Sequence, residues 1–418
     1  MRVAYVTMAF PASSETFASN DVRYLRAHGV AMTVHSLRKE RPEASVLRAE
    51  RALDDVVVTY PNGLATLLSG FRTAVRRPRA GWSLLKAIVG SCVHTPKHLV
   101  RSLYLWPRVL EIFDALADDP PDVVHAYWAH YPTMVLHLVQ DFLPGVTTSV
   151  SFSAYDIRHR YPVTRQVARR SDVVRSLSTV TARETADAFD LPLERIAVVY
   201  DSIDLTSLPD DTARVPRRIV TAGRLVRAKG MEEVLRTFAL IRHRVQDATL
   251  RVLGSGPDLD RLRGVAADLG VEQAVAFVGH VAQAQVLEEM HEAEVFLFLS
   301  WDERLPNVVK EAMVSGCICV VSHTTGIDEL VEDGATGFVV EQRGIEQAAE
   351  RVLAVLEGRV EAEPVRSAAV AHIRERFALD ANARQYLVLW RGPTAAPLQV
   401  GDGSAVPLRA SAATRPPA

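Results

Sequence analysis

Arg224 and Lys229 stand five residues apart on the turn Gly223-Arg224-Leu225-Val226-Arg227-Ala228-Lys229-Gly230, directly after a β-rich run at 219–222. A planar guanidinium fork and a compact ammonium on one strand-to-helix turn suit a diphosphate, whose charge they neutralise without a metal. A second turn, Gly254-Ser255-Gly256-Pro257, opens a helical period, where small residues let a ligand approach backbone amides at a positive helix end. In a third segment, 301–313, Pro306 suits the first turn of a helix, so Glu303 falls in the loop and Glu311 on the second turn. Carboxylates accept from vicinal hydroxyls, so the two acids can serve different parts of one ligand. Glycosidase acids instead flank a single bond, about 5 to 9 Å apart. A fourth loop, containing Gly326, precedes a helix expected at 327–331 and adds amide donors at the same edge of the sheet. Taken alone, each segment reads better as a surface loop, a Gly-rich turn or a pair of solvated acids. What points to chemistry is that all four follow strands, since open α/β sheets bind ligands outside the carboxyl ends of their strands.

Positioning these loops requires a scaffold of alternating strands and helices, and the chain supplies it twice. Strand-like runs at 3–7, 32–36, 123–126, 149–153 and 196–199 alternate with helical periods, and the rhythm restarts at Arg218 with runs at 219–222, 249–253, 275–278, 295–299 and 318–321. This is the pattern of parallel sheets covered by helices, an α/β chain with two doubly wound, Rossmann-like domains. A Pro-, Asp-, Ser- and Thr-rich linker at 205–216 divides them, giving 1–206 and 207–378, followed by a last helix at 379–391. Residues 392–418 lack any period and are expected to be disordered.

Composition agrees. With 418 residues, 48% hydrophobic and 23% charged, the chain is too long for one ordinary core and too apolar for disorder. The 48 Lys+Arg against 50 Asp+Glu exclude polyanion binding by the surface as a whole, and so nucleic acid as a partner. Cys92, Cys317 and Cys319 are too few to frame the fold and fit a reducing compartment, so a cytoplasmic location is expected. The start of the chain reads as a buried strand rather than a signal peptide, and the apolar stretch at 83–93 is broken by Lys86 and Gly90. Asp258 and Asp260 belong to the first turn of a helix, where acids complement the dipole. Cys317 and Cys319 share a strand face without further ligands, and His94 and His98 lack an intervening Glu, so no metal is expected. One stretch stands apart. Between Asp55 and Glu111 there is no acid, while Arg72, Arg76, Arg77, Arg79, Lys86, Lys97, Arg101 and Arg108 interleave with Phe71, Trp82, Tyr104 and Trp106. This reads as a surface able to meet anionic lipid, or equally as a phosphate-binding or solvated face.

Taken in order, G-R-L-x-x-x-K-G, G-x-G-P, E-x7-E with L-P-N and E-A-M, and G-I-x-E-L-V-E-D-G-x-T-G-F-V-V resemble the retaining GT-B glycosyltransferases of glycosyltransferase family 4, over residues 1 to about 390. The resemblance implies an acceptor-binding first domain, a nucleotide-sugar-binding second domain and a final helix crossing back to the first. It implies that Arg224 and Lys229 bind the donor diphosphate, Glu311 the ribose and Glu303 the donor sugar. Gly223, Gly254, Gly256, Leu305 and Gly326 would line the donor site, and the 275–278 segment, from Val275, would hold the base. The turn containing Ser13, Ser14 and Glu15 looks like the S-E-T-F turn of members that build exported polysaccharides. Three positions depart from the pattern. Ser153-Ala154-Tyr155-Asp156 stands where relatives carry His before x-x-Asp, leaving His130 as the nearest candidate substitute for the absent histidine. Arg304 stands where Gly is common and would narrow the choice of donor sugar. Asp201-Ser202-Ile203-Asp204 replaces N-G-x-D. The implied activity is sugar transfer from a nucleotide diphosphate to a glycan or lipid-linked glycan, with retention and with no cofactor beyond the donor. A sugar-nucleotide epimerase and a catalytically silent nucleotide-sugar-binding scaffold are the alternatives.

Overall fold

The computed structural model describes residues 1–12, 16–203, 205 and 213–392, the side chain of Ala381 excepted. Within them lie two all-parallel sheets. The first is built from β1 (Arg2–Thr7), β2 (Ala31–Ser36), β3 (Val57–Thr59), β4 (Val123–Ala126), β5 (Thr147–Phe152), β6 (Val173–Ser176) and β7 (Ile196–Val198), in the order β3-β2-β1-β4-β5-β6-β7. Around it pack α1 (Thr16–Ala27), α2 (Ala44–Glu50), α3 (Gly63–Arg76), α4 (Pro78–Cys92), α5 (Pro96–Asp118), α6 (Thr133–Phe142), α7 (Ala154–His159), α8 (Pro162–Arg170) and α9 (Thr179–Phe189). The second sheet runs β10 (Val275–Gly279), β9 (Thr249–Leu253), β8 (Arg218–Ala222), β11 (Val295–Phe298), β12 (Ile318–Ser322), β13 (Phe338–Val340). Its helices are α10 (Met231–Arg244), α11 (Leu259–Asp268), α12 (Gln283–Glu292), α13 (Asn307–Val314), α14 (Ile345–Leu356) and α15 (Ala362–Arg376), and α16 (Leu379–Arg391) ends the described chain.

Helices on both faces bury the central strands along their whole length, which is why β11 reads Val-Phe-Leu-Phe and β12 Ile-Cys-Val-Val-Ser, with every residue buried. The expected α/β architecture of two doubly wound sheets is the one found. In each sheet the strand order reverses once, between β1 and β4 and between β8 and β11. Those switch points open crevices at the carboxyl ends of the strands.

Two expectations change. The helix anticipated at 327–331 is one 3₁₀ turn, Ile327–Glu329, too short for an appreciable dipole. The strand β6 escaped notice because Arg175 sits in its middle, yet that side chain is fully buried. Its Nη2 lies 3.1 Å from Asp201 Oδ1, its Nε donates to Val199 O at 2.9 Å, and the Tyr386 hydroxyl and Asp21 complete the surroundings. The tail expected to be disordered lies, from residue 393, outside the described residues.

Between the sheets the chain crosses twice, and the crossings are tied together. Ile203 N donates to Phe377 O at 3.0 Å and Leu379 N to Ile203 O at 3.2 Å. Then α16 returns to the first sheet, where Tyr386, Leu387 and Trp390 share a core with Val3, Tyr5, Val22 and Leu25. Trp390 Nε1 donates to Ser149 Oγ at 3.0 Å. Among the described residues no helix is long and apolar enough to cross a membrane.

Candidate functional site

At the switch point of the second sheet the loops after β8 and β11 are fastened to each other. Trp301 N and Ser300 Oγ both donate to Ala228 O, at 2.9 and 3.0 Å. Gly230 has φ +63°, and a Cβ there would lie 1.8 Å from Leu299 O, so the loops approach this closely only because residue 230 is glycine. The consequence is that Lys229, on one loop, meets the Glu303 carboxylate on the other. Burial, and then the neighbouring Arg224, hold the Lys229 ammonium below the usual lysine range. Two cations and one acid thus share the crevice, a cluster able to hold a diphosphate with a hydroxyl-accepting carboxylate beside it.

The 254–257 turn packs against the same loop. Gly254 N donates to Gly279 O at 2.7 Å and Leu225 N to Ser255 O at 2.9 Å. A Cβ on Gly254 would come within 2.0 Å of Gly223 O, and one on Gly256 within 2.3 Å of Leu225 O. Loop-on-loop packing therefore requires both glycines, whatever ligand lies above them. Since α11 starts only at Leu259, the 254–257 turn does not open directly into the helix; Asp258 binds Arg261 at 2.9 Å. Val275 needs a correction. It begins β10, at the end of the strand away from these loops, and at about 3.3 Å per residue it lies some 13 Å from Gly279. The carboxyl end, Val278 and Gly279, is the part that borders the crevice.

Adjacent residues on α13 face opposite ways. Glu311 accepts from Gln283 Nε2 at 2.8 Å and lines a cavity between the domains together with Thr16, Arg23, Gln283 and Asn307. Burial pushes its carboxyl up to about 7, and Gln283 restrains the rise. Lys310, fully buried, donates to Asp201 O and Asn307 Oδ1, both at 2.9 Å, and burial lowers it to about 8. Glu303 and Glu311, grouped by their spacing, therefore have separate partners. Leu305 packs on the core beneath α13, and Arg304 reaches across to Glu184 on α9, with Nε to Oε2 at 3.0 Å. Arg304 thus meets a protein carboxylate at the position where the sequence placed it beside the donor sugar.

The first domain presents its own group at its own switch point. His130, after β4, lies 2.8 Å through Nδ1 from Asp156 Oδ1, and the fully buried Asp156 also accepts from Ser153 N and Oγ at 2.9 and 2.7 Å. Ser153 and Asp156 form the capping box of α7, so the aspartate is fixed by helix geometry and holds the imidazole in turn. His130, Ser153 and Asp156 are thus brought together. Arg158, later on α7, binds Asp302 at 2.6 Å and so joins this helix to the Glu303 loop. Ser13, Ser14 and Glu15 lie outside the described residues.

Sequence reasoning missed Glu329. Its carboxylate accepts from Thr179 N at 2.9 Å, Val180 N at 3.0 Å and Tyr200 Oη at 3.0 Å, capping α9 from the opposite domain. Gly326, with φ +85°, lies against Val180. The fourth loop, expected to offer its own helix end, instead gives a carboxylate to another helix. The available signal was its place as the Glu of the G-I-x-E-L-V run in that loop.

Residues 212–372 match the family model described as Glycosyl transferases group 1. A GDP-mannose-dependent alpha-(1-6)-phosphatidylinositol monomannoside mannosyltransferase of Mycobacterium tuberculosis is 30% identical over 56% of this chain and 66% of its own. The chain thus spans just under two thirds of that relative. A Salmonella typhimurium protein bearing the name of a colanic acid biosynthesis glycosyltransferase, WcaL, is 24% identical over 91% of this chain and 96% of its own. The crystal structure of Anabaena HepE in complex with UDP superposes with a TM-score of 0.68 at 17% identity, covering 93% of this chain and 98% of that one. The two-sheet architecture is accordingly that of the GT-B fold.

Proposed function

We propose that this chain, whose residues 212–372 match the Glycosyl transferases group 1 model, moves a hexose-type sugar from a nucleoside diphosphate to a glycan or lipid-linked glycan acceptor with retention of configuration, in polysaccharide or glycoconjugate biosynthesis. The observation that carries this reading is the meeting of Lys229 and Glu303, with Arg224 beside them, at the switch point of the second sheet. Arg224 and Lys229 stabilise the departing diphosphate, Glu303 holds hydroxyls of the sugar, and Glu311 accepts from the ribose. The C1–O bond to the diphosphate breaks as the acceptor oxygen bonds C1 on the same face, and the acceptor proton passes to the leaving phosphate oxygen. No resident metal or other cofactor takes part. Acceptors enter from the first domain, where Asp156 orients His130. The names of the relatives, which include mannosyl transfer to a phosphatidylinositol glycolipid and colanic acid biosynthesis, support an acceptor of this class. The three buried free cysteines suit a cytoplasmic setting.

The test is mass spectrometry of products formed from a panel of nucleotide sugars, GDP-mannose and UDP-glucose among them, with membrane extract as acceptor. A glycosylated acceptor with free nucleoside diphosphate is expected. Consumption of donor without acceptor, or binding without turnover across the panel, contradicts the reading.

A further inference from the structure

The helix α3 is built inside out. Its buried residues are Thr66, Gly70 and Thr73, while Leu64, Leu68, Phe71 and Val75 point to solvent along one helical stripe. This is not a helix that lost its partner. A Cβ on Gly70 would fall 2.4 Å from the Pro107 backbone, so the small-residue face is already seated closely on α5. The next helix, α4, buries Leu84 and Ile88 in the ordinary way but also leaves Trp82 69% and Val89 45% exposed, and Val93 just after it is exposed too. The opening turns of α5 add Val100 and Tyr104, the latter 77% exposed. Of the 17 large hydrophobic side chains exposed among the described residues, 11 fall between Leu64 and Tyr104. Contiguous exposed apolar surface on this scale marks a contact with something else.

Charge identifies what that is. Not all eight cations of the segment are free. Arg76 and Arg77 are bound by Asp114 and Asp118, and Arg108 is buried against Ser36 O, Thr59 and Glu111. That leaves Arg72, Arg79, Lys86, Lys97 and Arg101, all exposed and, among the described residues, without a carboxylate partner. They sit among the exposed apolar side chains on helices that carry no acid before Glu111. A second copy of the chain packed here about a two-fold axis would set these cations against their own equivalents. An anionic bilayer satisfies both components, burying the apolar stripes and pairing the cations with headgroups.

We infer that the outer face of α3, α4 and the start of α5 docks on an anionic lipid surface. The docked face ends beside the acceptor side of the cleft, since His98 on α5 bonds the Tyr131 hydroxyl at 2.9 Å, next to His130. The inference stands independently of the donor chemistry.

Co-sedimentation tests it, using the full chain with vesicles of phosphatidylcholine alone or mixed with phosphatidylglycerol. Wild type is expected to sediment with the anionic vesicles, to bind neutral ones far less, and to be released by salt. Reversing Arg72, Arg79 and Lys86 to Glu should weaken binding about a hundredfold or more. Leu68→Ser with Phe71→Ser should weaken it about tenfold or more, by loss of apolar burial. Thermal melting of both variants should match wild type, because the altered side chains are exposed. The inference falls if wild type stays in the supernatant at low salt, or if neither set of changes alters binding. It also falls if wild type is a dimer in sedimentation equilibrium that the Leu68 and Phe71 changes dissociate.

Discussion

Arg304 and Glu184 meet across the cleft, Nε to Oε2 at 3.0 Å and Nη2 to Oε1 at 3.2 Å, a fork-to-fork pair linking the loop after β11 to α9. Arg158 with Asp302 and Glu329 on the amide end of α9 join the domains along the same line. Both members of the Arg304 pair are partly exposed, so its contribution to global stability should be small, at most about 1 kcal/mol. Its effect on domain closure should be larger. Arg304→Glu sets two carboxylates face to face and should raise the radius of gyration in X-ray scattering, and the exchange Arg304→Glu with Glu184→Arg should restore it. Identical scattering from wild type and Arg304→Glu would remove the pair from any role in closure.

Arg175 holds two acids together where the chain leaves the first sheet, and it does so fully buried. Removing it leaves Asp21 and Asp201 without their counter-charge in a dry interior. Arg175→Met should destabilise the protein by about 3 to 5 kcal/mol, read by denaturant unfolding followed at the first-domain tryptophans. A loss below about 1 kcal/mol would mean that the site rehydrates.

Glu311 gives a pH signature. Its carboxyl, raised by burial to about 7 from an ordinary 4.5, binds more protons folded than unfolded between those values. Stability from this group is therefore complete below about 4.5 and declines as pH rises toward about 7. Glu311→Gln should flatten that part of the stability profile relative to wild type. Only the carboxylate accepts fully from the ribose hydroxyls, so donor affinity should rise with pH through the same window. The Gln variant should lose about 1 to 3 kcal/mol of donor binding in calorimetry at high pH. Unchanged donor affinity in the variant would make Glu311 only a helix residue.

What the sequence disclosed, and what it concealed, has a physical basis. The strands β8, β11 and β12 were legible because burial on both faces demands runs of Val, Ile, Leu and Phe, and β9 because Leu250, Val252 and Leu253 keep an apolar run around the half-buried Arg251. The loops after them were legible because phosphate and hydroxyl recognition needs particular side chains at a strand end. β6 was hidden by Arg175, whose burial depends on Asp201 and Asp21 far away in the chain. The basic stretch displayed its charge in the sequence, but only the structure separates Arg76, Arg77 and Arg108, which bind carboxylates or carbonyls, from the cations left facing out. Pairings such as Glu184 with Arg304, or Lys310 with Asp201 O, join residues over a hundred positions apart, and no local pattern announces them.

Single-turnover transfer by Arg224→Ala and Lys229→Ala, with donor saturating, tests the central claim most directly. If these cations stabilise the departing diphosphate, each change should lower the chemical step by about a hundredfold or more. The Glu303 side chain, left without its lysine, should not compensate. A rate within about twofold of wild type in both variants would contradict the assignment of the Lys229–Glu303 crevice as the place where the sugar leaves its diphosphate.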